Sequence, residues 1–129
     1  MILLRKNEAL ALHDRAIREF GGADGVRDEG ALESAVVSAE NRLWYEQADA
    51  AACAAAYAYH LTMAHAFVDG NKRVAAAATE VFLRANDMVL EASDDELYGI
   101  FMAIASGGMA RDAVEAWLRP RIRPALASK

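Results

Sequence analysis

From Asp49 to about Ala66 the chain is nearly unbroken in Ala, Tyr, Leu and Met, and this run constrains the fold more than any other stretch. Alanine, leucine and methionine lose little side-chain freedom on entering a helix, so the run is expected to be helical. A surface helix keeps one polar face, whereas this one is apolar almost all round, which places it at the centre of other helices. Ala, Leu, Met, Glu and Arg fill the remaining long runs and strand signals are nearly absent. The expected class is therefore all-α, a compact single-domain helical bundle.

The surrounding helices can be placed from local signals. A first helix is expected from about Asn7 to Phe20, with Leu10, Ile17 and Phe20 at helical spacings and Gly21-Gly22 ending it. Gly25 belongs to the same loop. Asp28 is placed to cap a second helix, from about Glu29 to Asn41, whose inward stripe is Leu32, Ala35, Val36 and Ala39. Beyond the central run Gly70 interrupts the pattern, and a further helix is expected from about Asn71 to Ala85, closed by Asn86-Asp87. Only Met88 to Ala92 reads as extended. Ser93 and Glu96 form a capping box for a helix reaching Ser106, and Gly107-Gly108 stops it. A last helix, about Ala110 to Arg119, turns Trp117 and Leu118 inward before Pro120 ends it, and residues 119–129 are expected to fray in part, above all from Pro124 onward. With 129 residues, no internal repeat and no linker, residues 1–129 are expected to form one domain, large enough to fold without metal or disulfide.

Charge and cysteine usage exclude several functions. Fourteen Lys and Arg against nineteen Asp and Glu give a net charge of −5, a poor balance for gripping nucleic acid directly. Cys53 has no partner for an internal disulfide, which fits a reducing compartment. Met1 to Leu4 is too short for a signal-peptide core, and charges or Gly interrupt every other apolar stretch before it reaches a membrane span. A cytoplasmic protein is expected.

The chemistry is concentrated in His65-Ala66-Phe67-Val68-Asp69-Gly70-Asn71-Lys72-Arg73. If a helix begins near Gly70, the backbone N–H groups of Gly70, Asn71, Lys72 and Arg73 point outward with the positive end of the helix dipole behind them, a ready site for an anion. Gly70 lets a phosphate approach the backbone, and Lys72 and Arg73 add two full charges beside it. Asp69 is the hard oxygen ligand that a magnesium ion beside phosphates requires. His65, at the end of the preceding helix, is assigned as general base for an attacking hydroxyl. Phe67, apolar in a polar loop, is read as an anchor to the core.

Each residue also has a plainer reading. A lone His65 can be a helix-end histidine, a lone Asp69 an N-cap, and lone Lys72 and Arg73 solvated surface charges. Their combination at a helix start is what favours a site. His13 and His60 read as satisfied structural histidines. No His, Cys or carboxylate spacing suits zinc, and Gly-Asn-Lys-Arg lacks the Gly-Lys-Ser/Thr ending of a P-loop.

This nine-residue segment resembles the signature of Fic/Doc proteins, specifically the death-on-curing (Doc) toxins of bacterial toxin–antitoxin modules. The resemblance extends through His13-Asp14, Gly21-Gly22, Gly25-Val26-Arg27-Asp28, Leu32-Glu33-Ser34-Ala35, Phe82-Leu83, Ala105-Ser106-Gly107 and Trp117-Leu118. It implies a compact helical fold with the active-site loop between two central helices. Fic enzymes that transfer AMP carry His-Pro-Phe-x-x-Gly-Asn-Gly-Arg-x-x-Arg; here Lys72 replaces the second Gly, Ala76 the second Arg, and Ala66 the Pro.

The Doc-like Asn-Lys-Arg order implies a kinase that moves the γ-phosphate of ATP onto a threonine of elongation factor Tu and so stops translation. Matched residue by residue, the resemblance makes His65 the base, Asp69 the Mg2+-linked acid, and Asn71, Lys72 and Arg73 the phosphate-binding positions, beside Gly70. It also implies a cognate antitoxin whose C-terminal segment folds onto the toxin. Two rivals remain open: transfer of AMP to a protein hydroxyl from the same loop, and a catalytically silent binding module.

Overall fold

The computed structural model describes residues 1–125, and among them lie six α-helices, a 3-10 turn and one two-stranded ribbon. Helix α3 (Ala50–Met63) is the axis of the bundle, as its composition demands. Ala50 through Ala58 are all buried, with Leu61 and Thr62. Methyl-sized side chains let neighbouring helices lie close against it. Asp49 caps α3 by accepting the N–H of Ala52 at 3.1 Å, and the same carboxylate accepts from both Arg119 terminal nitrogens at 2.6 and 3.2 Å. The start of the central helix is thereby tied to the C-terminal part of the chain.

Helix α1 (Lys6–Phe20) buries Ala9, His13 and Ala16. The expected stripe of Leu10, Ile17 and Phe20 is thus rotated: Leu10 and Ile17 lie half-buried at its edges, and Phe20 is 61% exposed. The segment before α1 is held by Tyr57 of α3, whose fully buried hydroxyl accepts the N–H of Leu4 at 2.8 Å and donates to its carbonyl at 3.2 Å. Burial pushes the Tyr57 hydroxyl up to about 12.

Helix α2 (Glu29–Glu46) starts where expected, with Asp28 accepting the N–H of Ala31 at 2.9 Å, and buries Leu32, Ala35, Val36 and Ala39. It runs on past Asn41 because Asn41–Glu46 contains no Gly or Pro, Leu43 still packs on the core, and Arg42 pairs with Glu46 at 3.6 Å and Glu115 at 3.4 Å. The turn comes only at Gln47, in the left-handed region with φ +50°.

Helix α4 (Asn71–Ala85) has the expected bounds and buries Val74, Ala75, Ala78, Thr79, Phe82 and Leu83. The Ser93–Glu96 capping box opens α5 (Asp94–Ala105), with reciprocal bonds of 2.8 and 3.1 Å. Helix α6 (Arg111–Leu118) buries Val114 and Leu118, while Trp117 is half-buried under the Arg121 guanidinium.

The chain after α6 does not fray at residue 119. Arg119–Arg121 forms a 3-10 turn, and Ile122–Pro124 (β2) pairs antiparallel with Met88–Leu90 (β1), Val89 facing Arg123. Local sequence reads as a tail there because what orders it is a distant strand. Residues 126–129 of the expected tail lie outside the described residues. Among the described residues no helix is long and apolar enough to cross a membrane.

Candidate active site

Helix α3 stops at Met63 and α4 starts at Asn71, so the break expected around Gly70 is present. His65 makes the turn in the left-handed region, with φ +48°, and its side chain is exposed at the end of the helix instead of entering the core. Gly70, at φ +80°, is the N-cap of α4. A side chain rarely adopts that backbone conformation, which explains glycine at this position.

The loop between them is held from three sides. Phe67 is 2% exposed and plugs it into the core, the anchoring expected of it. His13 of α1, also buried, stacks flat on Phe67 with centroids 4.0 Å apart and planes within 8°. Its Nε2 lies 2.9 Å from the carbonyl of Asp69; a carbonyl only accepts, so this nitrogen carries the proton. The Asn71 side chain closes the loop from within, accepting the N–H of Phe67 and donating to its carbonyl, both at 3.0 Å.

The last support is the α1–α2 loop. Arg27 and Asp28 donate backbone N–H to the Ala66 carbonyl at 2.7 and 3.1 Å, and Val68 donates to the Gly25 carbonyl at 3.0 Å. Val26 and Phe67 form an isolated antiparallel bridge between the two loops. Ala23 donates its N–H to Asp69 Oδ2 at 3.3 Å, an approach that needs Gly22: a Cβ there would lie 2.6 Å from that oxygen.

These supports refine the expected roles. Of the four amides expected to face an anion, that of Gly70 is taken, because it donates to Asp69 Oδ1 at 2.8 Å. The N–H groups of Asn71, Lys72 and Arg73 occupy the first turn of α4, where no helical acceptor exists for them. The Asn71 amide side chain is engaged by the loop, so its backbone is what it offers a ligand. The ion pairs of the described residues engage Lys6, Arg15, Arg18, Arg42, Arg111, Arg119, Arg121 and Arg123, but neither Lys72 nor Arg73.

A cavity of about 440 Å³ opens at this point. His65, Asp69, Gly70, Asn71, Lys72 and Arg73 line its polar side, while Leu97, Tyr98, Phe101 and Met102 of α5 form an apolar wall with Ala76. Every residue assigned to the site from sequence therefore borders one space. His13, Gly22 and Ala23 were not singled out as functional, yet they hold Asp69; the positive-φ glycines around them are the signal that could have shown it.

A magnesium ion beside phosphates would need oxygen donors at this cavity. No group of three or more His, Cys, Asp or Glu converges on a metal position, and Asp69 is the one carboxylate that lines the cavity, among the described residues. Each Asp69 oxygen accepts one N–H and keeps lone-pair capacity. That suits an ion that keeps its waters and shares phosphate oxygens, as magnesium does, and not a cage built by protein.

The model of the Fic/DOC family matches residues 3–83, from the segment before α1 to Leu83 in α4. The chain belongs to the Fic/Doc family. Among relatives, "Protein kinase doc" of Escherichia phage P1 is 33% identical over 113 residues, covering 87% of this chain and 89% of that protein. "Toxin Doc" of Mycolicibacterium smegmatis is 42% identical over 85 residues, covering 59% of this chain and 60% of its own. The Fic/Doc match spans both loops described above, whereas the α5 wall and the β1–β2 ribbon lie beyond it.

Proposed function

We propose that this Fic/Doc protein is the toxin of a toxin–antitoxin pair, a cytoplasmic protein kinase that transfers the γ-phosphate of ATP to a threonine hydroxyl of elongation factor Tu. The observation that carries the reading is the convergence of His65, the first-turn amides of α4 and the cations Lys72 and Arg73 on one cavity. The similarity to a protein named as a kinase supports the transferred group.

The chemistry needs charge neutralisation and positioning more than covalent participation. The N–H groups of Asn71, Lys72 and Arg73 and the side-chain cations of Lys72 and Arg73 would bind and orient the phosphate chain. His65 accepts the proton as the threonine oxygen bonds to the γ-phosphorus; the bond from that phosphorus to the β,γ-bridging oxygen breaks, and ADP leaves. Asp69 would hold a magnesium ion, which when bound offsets the charge of the phosphate chain. Ala76 and the α5 wall leave apolar room for the nucleoside. The cognate antitoxin is the restraining partner, and no direct contact with nucleic acid or membrane belongs to this function.

The test is incubation of purified elongation factor Tu with the protein, magnesium and ATP labelled at either the γ or the α phosphorus, followed by mass spectrometry. Label from the γ position and a mass gain of one phosphate on threonine is the expected result. Label from the α position with a nucleotide-sized gain, or an unmodified factor, overturns the proposal.

A further inference from the structure

We propose that Phe20 is a positioning residue for Arg73, its ring holding the guanidinium at the edge of the cavity before any nucleotide arrives. The inference rests on the phosphate-binding role proposed above for Arg73.

Phe20 is the last residue of α1 and stands 61% exposed, outside the buried face of that helix. The Arg73 guanidinium carbon lies 4.6 Å from the ring centroid, well inside cation–π range. Arg73 borders the cavity and Phe20 does not, so the ring supports the cation from outside. Burial does not explain this phenylalanine; contact with Arg73 does.

The choice of an aromatic partner has a physical logic. A carboxylate would also order the guanidinium, but it would cancel the charge a phosphate needs and compete for the same N–H groups. A ring carries no net charge and takes the flat face of the cation, leaving the in-plane N–H donors available. Ordering the long side chain beforehand removes part of the entropy lost when phosphate immobilises it.

Calorimetric titration of the full chain with magnesium–ATP, and separately with inorganic tripolyphosphate, tests this. Phe20→Ala and Phe20→Leu are expected to weaken both ligands about two- to fivefold, the range of an exposed cation–π contact, while Phe20→Tyr stays within error of the parent. In an Arg73→Ala background, Phe20→Ala should change nothing, an outcome that general destabilisation would not produce. Unaltered or tighter binding by Phe20→Ala, or an equal loss in the Arg73→Ala background, overturns the inference and leaves phosphate transfer standing. If Arg73→Ala itself binds both ligands normally, the phosphate role of Arg73 falls and this inference with it.

Discussion

His65 occupies a backbone conformation that costs a side chain energy, and its ring still reaches neither the core nor a structural partner among the described hydrogen bonds. Strain kept at an exposed residue marks a place where position matters more than stability. His65→Ala keeps the same backbone strain, so thermal unfolding should shift by no more than about 0.5 kcal/mol while phosphate transfer is abolished. Near-normal transfer in that variant would remove the base assignment. Gly22 is the opposite case. Its φ of +110° and the 2.6 Å separation a Cβ would have from Asp69 Oδ2 leave no room for alanine. Gly22→Ala should lower stability by about 1–3 kcal/mol and cut activity at least tenfold, because the flexible neighbour that yields is the Asp69 carboxylate. Parent-like activity with a lowered melting temperature would show that Asp69 is not needed where it stands.

Single elements were legible where their cause is local. Asp28 and the Ser93–Glu96 box reveal helix starts because an oxygen at one position meets an amide two or three residues later. The all-round apolar character of α3 reveals its central place. The end of α2 was missed because Gln47 turns the chain through its backbone, with no glycine or proline to announce it. Pairing of β1 with β2, and the seat of His13 on Phe67, join residues far apart in sequence, and no local pattern encodes such contacts. The motif loop itself could be placed from sequence, yet the segment that braces it could not. Leu4 is a further non-local case. Tyr57→Phe would leave its buried N–H and carbonyl without their partner, and urea denaturation should show a loss of about 1–3 kcal/mol with unchanged helix content. A loss below about 0.5 kcal/mol would mean water replaces the hydroxyl.

At the scale of the whole molecule, the clasp between Asp49 and Arg119 joins the start of α3 to the end of α6. Hydrogen bonds from Arg119 hold the Asp49 carboxyl below its ordinary 3.8, helped by the Ala52 N–H and opposed by burial. The unfolded chain therefore takes up this proton first as pH falls. The contribution is complete above the usual carboxylate range and is lost as pH drops through the lower folded value. Urea midpoints measured from about pH 5 down to about pH 2 should decline for the parent and decline less for Asp49→Asn. Identical slopes would show that the clasp is screened away. The two loops at the cavity are joined as firmly: Ala23 and Asp69, in contact, are 46 positions apart in the chain. Cutting one peptide bond between Gly21 and Asp24 should thus disarm the protein even though every side chain proposed to meet substrate stays covalently untouched. The vulnerability of the site lies in a glycine turn that performs no chemistry.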